Sequence, residues 1–347
     1  MLSTVLPGPS RAYAPAAKNQ PVSNKPRFGC RLAGALASAQ SEEGDRFVKT
    51  VTLALPEYAK VQKHLQESNE INPFANLLNK DQSDGWGLAH FITNPNGDRP
   101  LHFRQTQSAR NILQDPSFKT TQNMLLALKT ASGIGHVRID SHGTGAKIEN
   151  SHPFRLDLDG ATWTSAFNGR WDQALSPKVK ETLRKNPAFQ PKGDTDSEHA
   201  FLYIMQSIQA KLGTVNSQKT DAEKMTRAFA EVIRELTKNP LPPTSLDIPP
   251  DLGLNIRGKV RVGPSYNFIA NDGNLMIAYR NGQSLYLGVK RDANHKPVAH
   301  AVSTMPQKLP GVVWTDLADN TLVVIDRNRD TGESQAEILP LETIPSL

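Results

Sequence analysis

Cys30 is the single cysteine of this 347-residue chain, which rules out an intramolecular disulfide and any Cys-rich zinc or iron–sulfur site. By itself a lone cysteine reads as a small buried hydrophobe. It becomes a nucleophile only where a base can take its proton, because the thiolate is the reactive form. Four other segments carry polar groups that could serve such chemistry: "SDGWGLAHF" at 83–91, "GHVRIDSHG" at 135–143, "FNGRW" at 167–171 and "GDTDSEHAF" at 193–201. Taken singly, each has an ordinary structural explanation. Arg138 suits a surface ion pair, Asn168-Gly169 suits a hairpin turn, and Asp196 ahead of Ser197, Glu198 and an apolar run suits a helix N-cap. In "DGWG", two glycines around Trp86 predict a strand that another backbone approaches closely. His136, His142 and His152 offer a zinc hydrolase as a second enzyme class, since a catalytic zinc needs three protein ligands and an open position. No HExxH-type spacing supports that second reading.

These groups need strands and helices to hold them. "CRLAGALAS" predicts a buried strand starting at Cys30, and Tyr58, Val61 and Leu65 predict a helix over 56–65 with Pro56 in its first turn. Strands are predicted at Trp86 to Ile92, Leu101 to Arg104, "GIGHVRI" and "ATWTSAF", the last ending at Asn168-Gly169. Helices are predicted over 121–130 and from about Ser197 to Leu236. "NPLPPTSLDIPP" at 239–250 holds five prolines and can continue neither a helix nor a central strand. Beyond it the chain is mostly β, with runs at Val260, Tyr266, Leu275, Leu285, Val298 and Leu322 separated by Asn-Gly-type turns. No repeat of fixed period occurs. Strand, helix, strand, helix and strand in this order predict layered α+β with mixed sheets.

The formal charge of +6 comes largely from residues 1–29, where Arg11, Lys18, Lys25 and Arg27 stand with no Asp or Glu; without those four it is +2. A body so nearly neutral lacks the basic footprint of a nucleic-acid binder. No apolar run approaches the ~20 residues of a membrane helix, and no basic n-region precedes an apolar h-region. Residues 1–29, with five prolines and no apolar period, read as a disordered leader or targeting segment, and the expected compartment is cytoplasmic.

Together with "GCRLAGA" at 29–35, the four segments resemble, in order and type, the class II glutamine amidotransferases of the N-terminal nucleophile hydrolase group. The resemblance is strongest to the small free-standing subgroup that includes the ergothioneine-pathway γ-glutamyl hydrolase and the amidotransferase-like subunit of glutathione breakdown. It covers most of residues 30–290, including "YNFIANDGNLMIAYR". It implies a four-layer αββα sandwich and a type 2 amidotransferase domain over 30–347, with a Pro-rich connection at 239–250 and a β-rich part at 251–347.

It also implies a role for each matching residue. Cys30 would be the nucleophile, with its own α-amino group as base; a free α-amine titrates near ~8, whereas an amide nitrogen accepts no proton. The Gly29-Cys30 bond must then be broken, and the adjacent Cys30 thiol makes autocatalytic cleavage chemically reasonable. Arg138 would bind the substrate α-carboxylate through two parallel hydrogen bonds and Asp196 its α-amino group. Asn168 and Gly169 would form the oxyanion hole, and Ser141 and His142 would lie against the substrate. The chain departs from the family at Phe167, where a histidine is usual, and at Asp140, where a small residue is frequent. The implied reaction is hydrolysis of a γ-glutamyl amide through a glutamyl-thioester, with no cofactor and no metal. The expected partners are a small-molecule γ-glutamyl substrate and a synthase or hydrolase protein receiving ammonia, with no nucleic acid and no membrane. The alternatives are an amidotransferase subunit that passes ammonia to a partner and a non-catalytic interaction module with the same fold.

Overall fold

Strands that are buried along their whole length must be covered on both faces, and this chain places several such strands in two stacked sheets. The computed structural model describes residues 30–39, 41–57, 59, 85–93, 102–138, 147–169, 171–238, 244–247, 259–262 and 265–347. The first sheet has seven strands, with β1 (Arg31–Ala37) central between β4 (Thr130–Arg138) and β12 (Pro297–Ser303). Beyond β4 lie β2 (Gly85–Ile92) and β3 (His102–Ser108); beyond β12 lie β11 (Tyr286–Arg291) and β13 (Val312–Asp316). The second sheet runs β15 (Ser334–Pro340), β14 (Thr321–Arg327), β10 (Leu275–Arg280), β9 (Tyr266–Asn271), β6 (Ala161–Gly169), β5 (Phe154–Leu158). A separate ribbon pairs β7 (Thr244–Asp247) with β8 (Lys259–Val262).

Alternation along these strands sorts the core into three layers. Leu32, Leu36, Ile134, Ala166, Ile269, Met276 and Val323 meet between the sheets. Ala33, Ala35, Trp86, Leu88 and Val137, on the other face of the first sheet, pack beneath α1 (Glu42–Leu53) and α2 (Pro116–Leu126). Trp163, Phe167, Phe268 and Tyr279 pack on the outer face of the second sheet. There they lie under α3 (Pro177–Arg184), α4 (Asp196–Leu212) and α5 (Ala222–Thr237). The layers are therefore helix, sheet, sheet, helix, the four-layer sandwich expected from the resemblance.

Several expectations need correction. Every strand pairing among the described residues is antiparallel, so the sheets are not mixed. The helix expected at 121–130 is α2, which starts five residues earlier. Asp115 caps it by accepting from Ser117 N at 2.9 Å, and Pro116 occupies the first turn. It must stop before Thr130, which already belongs to β4. Asn168-Gly169 is no hairpin turn: both are ladder residues of β6, opposite Asn267 and Tyr266 of β9. Asp196 is the first residue of α4 rather than its cap, which is Thr195, accepting from Glu198 N at 3.3 Å. Helix α1 was not expected at all. The leader at 1–29, most of the helix expected over 56–65, and 239–243 and 248–250 of the Pro-rich stretch lie outside the described residues.

Candidate functional site

The register of β1 locates Cys30. Leu32 lies opposite His136 and Arg31 opposite Val137, so the next position along the antiparallel pair sets Cys30 beside Arg138. Leu32 and Leu36 face the second sheet while Ala33 and Ala35 face α1, so the period of two puts Cys30 on the inter-sheet face. The same period puts His136 and Arg138 on the inter-sheet face of β4, with Ile134, and Asn168 on the inter-sheet face of β6, with Ala166. Cys30 at the start of β1, Arg138 at the end of β4 and Asn168-Gly169 at the end of β6 thus lie at one end of the inter-sheet layer. The bond from His136 Nε2 to the Phe167 carbonyl, 3.0 Å, joins the two sheets there. On its other side β1 is held by β12 and by Thr304, whose N–H donates to the Leu32 carbonyl at 3.1 Å.

Asn168 is 1% exposed, yet among the described residues neither its amide oxygen nor its amide nitrogen has a hydrogen-bond partner. Its cross-strand neighbour Asn267 is fully engaged, donating to the Gln283 carbonyl at 3.0 Å and accepting from Asn281 N at 2.9 Å. An unsatisfied buried amide costs about 1–3 kcal/mol, so one that persists beside a satisfied twin is available to a ligand. Gly169 has φ of 139°, and a β-carbon there would run into the Ser265 carbonyl, so no other residue fits.

Asp196 is nearly buried. Its Oδ2 accepts from Trp171 N at 2.5 Å, and its Oδ1 accepts from Ser197 N at 2.8 Å and Ser197 Oγ at 3.2 Å. The carboxylate therefore anchors the chain two residues past Gly169 to the first turn of α4, where the helix dipole favours a negative group. This brings Asp196 into register with the end of β6. Glu198 closes the same turn by accepting from Lys192 N at 2.9 Å and Gly193 N at 2.7 Å.

Phe167 points away from the other three. It lies in the helix-covered core, stacked on Phe268 at 5.5 Å and edge-on to Trp171 at 5.4 Å. The histidine usual at this position is therefore replaced on the face opposite Asn168. The glycines of "DGWG" admit the 151–153 segment: a β-carbon on Gly87 would overlap the His152 carbonyl, and one on Gly85 would stand 2.6 Å from Ser151 Oγ. Trp86 projects to the outer core, its Nε1 donating to Asp115 Oδ2 at 3.1 Å. This is the structural role expected of that segment.

Two of the three histidines offered as zinc ligands, His136 and His152, fall among the described residues and lie together. The His136 and His152 rings lie 4.1 Å apart between centroids, both buried. Burial lowers the His136 pKa to about 3, with Arg138 adding to the effect. Burial also holds His152 well below the ordinary value, helped by His136 and Arg138. Among the described residues neither ring nitrogen of His152 has a partner, nor does His136 Nδ1. Among the described residues no group of three or more His, Cys, Asp or Glu could hold a metal ion. The alternation that puts His136 and Arg138 on one strand face was available in "HVR"; the approach of His152 across the sandwich was not. Asp140, Ser141 and His142 lie outside the described residues.

Comparison with known proteins gives a consistent assignment. Residues 71–241 match the sequence profile of the family "Glutamine amidotransferases class-II". "Putative glutamine amidotransferase YafJ" of Escherichia coli is 30% identical over 152 residues, covering 44% of this chain and 53% of that one. A "Putative glutamine amidotransferase" of Haemophilus influenzae is 28% identical over 197 residues, 57% of this chain and 52% of that one. The chain thus spans about half the length of the curated relatives it matches. Among solved structures, glutamine phosphoribosylpyrophosphate amidotransferase from B. subtilis superimposes with a TM-score of 0.51 at 14% identity. That match covers 89% of this chain and 49% of the other, a likeness of fold.

Proposed function

We propose, from the premise that this chain belongs to the class-II glutamine amidotransferases, that it hydrolyses a γ-glutamyl amide through a thioester on Cys30. The observation that carries the reading is the convergence of Cys30, Arg138 and an unpartnered, buried Asn168 amide at one end of the inter-sheet layer. In this reading residues 1–29 are a leader: the Cys30 thiol attacks the Gly29 carbonyl, the Gly29–Cys30 C–N bond breaks to free the α-amine, and water hydrolyses the resulting Gly29 thioester, releasing the leader as its acid and restoring the thiol. That amine then takes the thiol proton, and Sγ forms a bond to the substrate δ-carbonyl carbon while the carbonyl electrons move onto oxygen. The Asn168 amide and the Gly169 N–H receive the oxyanion. As the tetrahedral species collapses, the C–N bond breaks and the α-amine returns its proton to the leaving nitrogen. Water then releases glutamate from the thioester. Arg138 grips the α-carboxylate and Asp196 the α-amino group, with Ser141 and His142 beside the substrate.

The test uses protein beginning at Cys30 and protein beginning at Met1, with glutamine and γ-glutamyl peptides as substrates and glutamate as product. Glutamate release by the Cys30 form alone supports a free-standing hydrolase. Release that needs a second protein points to a subunit that hands ammonia to a partner. No release from any γ-glutamyl amide by the Cys30 form would leave the fold as an interaction module.

A further inference from the structure

We infer that His136 is a positioning residue for this reaction: its imidazole holds the Phe167 carbonyl and thereby sets where the Asn168 amide stands. The inference rests on the amide-hydrolysis reading above. Strand β5 stops pairing with β6 at Ser165, so the carbonyls that follow on that edge of β6 lie beyond the strand ladder. A buried carbonyl left without a donor costs about 1–3 kcal/mol and leaves the strand end free to shift. His136 supplies the donor from the opposite sheet, across 3.0 Å.

The chemistry of the bond fixes the ring. A carbonyl only accepts, so Nε2 carries the proton and Nδ1 is the bare nitrogen. Nδ1 lies buried without a partner among the described residues, and the His152 ring packs against the imidazole at 4.1 Å between centroids. The ring stays neutral, since burial lowers its pKa to about 3, and a neutral donor can sit near Arg138 without repelling it. His136 and Arg138 are two residues apart on one face of β4. One strand therefore carries both the guanidinium proposed for the substrate's carboxylate end and the strut that places the donor for its carbonyl end. A misplacement of ~1 Å at such a donor can cost ~10²-fold in rate.

The experiment uses the Cys30-initiated protein with glutamine or whichever γ-glutamyl amide the parent hydrolyses. His136→Phe, which keeps a ring but removes the donor, should lower kcat ~10- to 10²-fold with KM within about twofold. His136→Gln, which restores an N–H, should recover most of that loss. In an Asn168→Ala background, His136→Phe should cost less than about threefold more, because both act through one donor. Equal fold-losses in the two backgrounds, a loss confined to KM, or no rescue by Gln would overturn the inference. Should His136→Phe not fold, nitrogen NMR of the unsubstituted protein decides: a neutral Nε2–H tautomer from pH 5 to 8 is expected, and an Nδ1–H tautomer overturns it. A parent that releases no glutamate defeats the hydrolysis reading itself. An active parent with a defective Asn168→Ala and a normal His136→Phe defeats only the role of His136.

Discussion

The inter-sheet layer has two ends that treat their buried polar groups in opposite ways. At the end where β1 finishes and β4 begins, Arg327 of β14 donates across the sandwich to the carbonyls of Ala37 at 2.9 Å and Ala131 at 3.1 Å, and to Gly273 at 3.2 Å. Nearby, Asn271 donates to Ser132 Oγ at 3.1 Å, and His300 Nδ1 meets Ser334 Oγ at 2.7 Å. At the end where β1 starts and β4 finishes, the side chains of Asn168 and His152 and one nitrogen of His136 have no hydrogen-bond partner among the described residues. Both ends bury strongly polar side chains between the same two sheets. Pairing is extensive at the end that clamps the sheets together, although Thr130 Oγ1 there lacks a partner among the described residues, and it is sparser at the end where the proposed site lies.

That contrast can be broken by substitution. The largest effect is expected from Cys30→Ala, which should abolish glutamate release and, in protein synthesised from Met1, retain residues 1–29. Intact mass of the purified protein reads the second outcome, and trimming of the alanine variant at the same bond would assign leader removal to an outside protease. Arg327→Met should strike the clamped end, leaving three buried carbonyls short of a donor and lowering unfolding stability by ~3 kcal/mol or more. Chemical denaturation measures it, and the folded fraction should keep the parent kcat; a catalytic defect without a stability loss would erase the distinction between the ends.

Asn168→Ala should do the reverse, costing ~10²-fold or more in kcat with little change in folding midpoint. Unchanged turnover in a folded, processed variant would remove Asn168 from the site. Arg138→Lys keeps the charge but loses the planar fork, so KM should rise about tenfold while kcat falls less. If Arg138→Lys and Asp196→Asn both left glutamate release unaltered, the proposed grip on the glutamyl end would be wrong.

The smallest effect is a slope. Burial holds His300 at about 4 and His136 and His90 at about 3, below the ~6.5 of an unfolded chain. Between those limits the unfolded chain binds more protons, so stability is complete above about pH 6.5 and declines as the pH falls towards 4. His300→Asn, which keeps a hydrogen-bonding amide for Ser334, should flatten the decline by about one proton, ~1.4 kcal/mol per pH unit. Equal denaturation midpoints at pH 7 and pH 5 in the parent would contradict it.

The strands that hold the site were legible because their burial is continuous. β1, β2, β4 and β6 carry uninterrupted apolar or alternating runs, and α4 and α5 follow a clear 3.6 period. β13 (VVWTD) and β15 (SQAEILP) are edge strands with almost no buried position, and their short apolar stretches lack the sustained run or alternation of a core strand. Helix α1 hides behind "EEGDR" and Lys49, whose ammonium is buried against Asp45 at 2.7 Å and the Leu128 carbonyl at 3.0 Å. A buried lysine interrupts the stripe by which helices are recognised. Cys30, Arg138, Asn168 and Asp196 are candidates singled out by order and residue type. The contact between His136 of β4 and His152, in the segment leading into β5, comes from long-range topology, and a local pattern cannot carry that information.

Strand β12 has a further consequence, one of timing. It is hydrogen-bonded along β1, and Thr304 fastens the backbone of Leu32, 272 residues earlier in the chain. During synthesis Cys30 is made well before the strand that seats β1, which begins only at Pro297. Autocatalytic loss of the leader, as proposed, would then certify completion: a chain halted before Thr304 would keep residues 1–29, and no free α-amine would appear on Cys30 until the sandwich had closed.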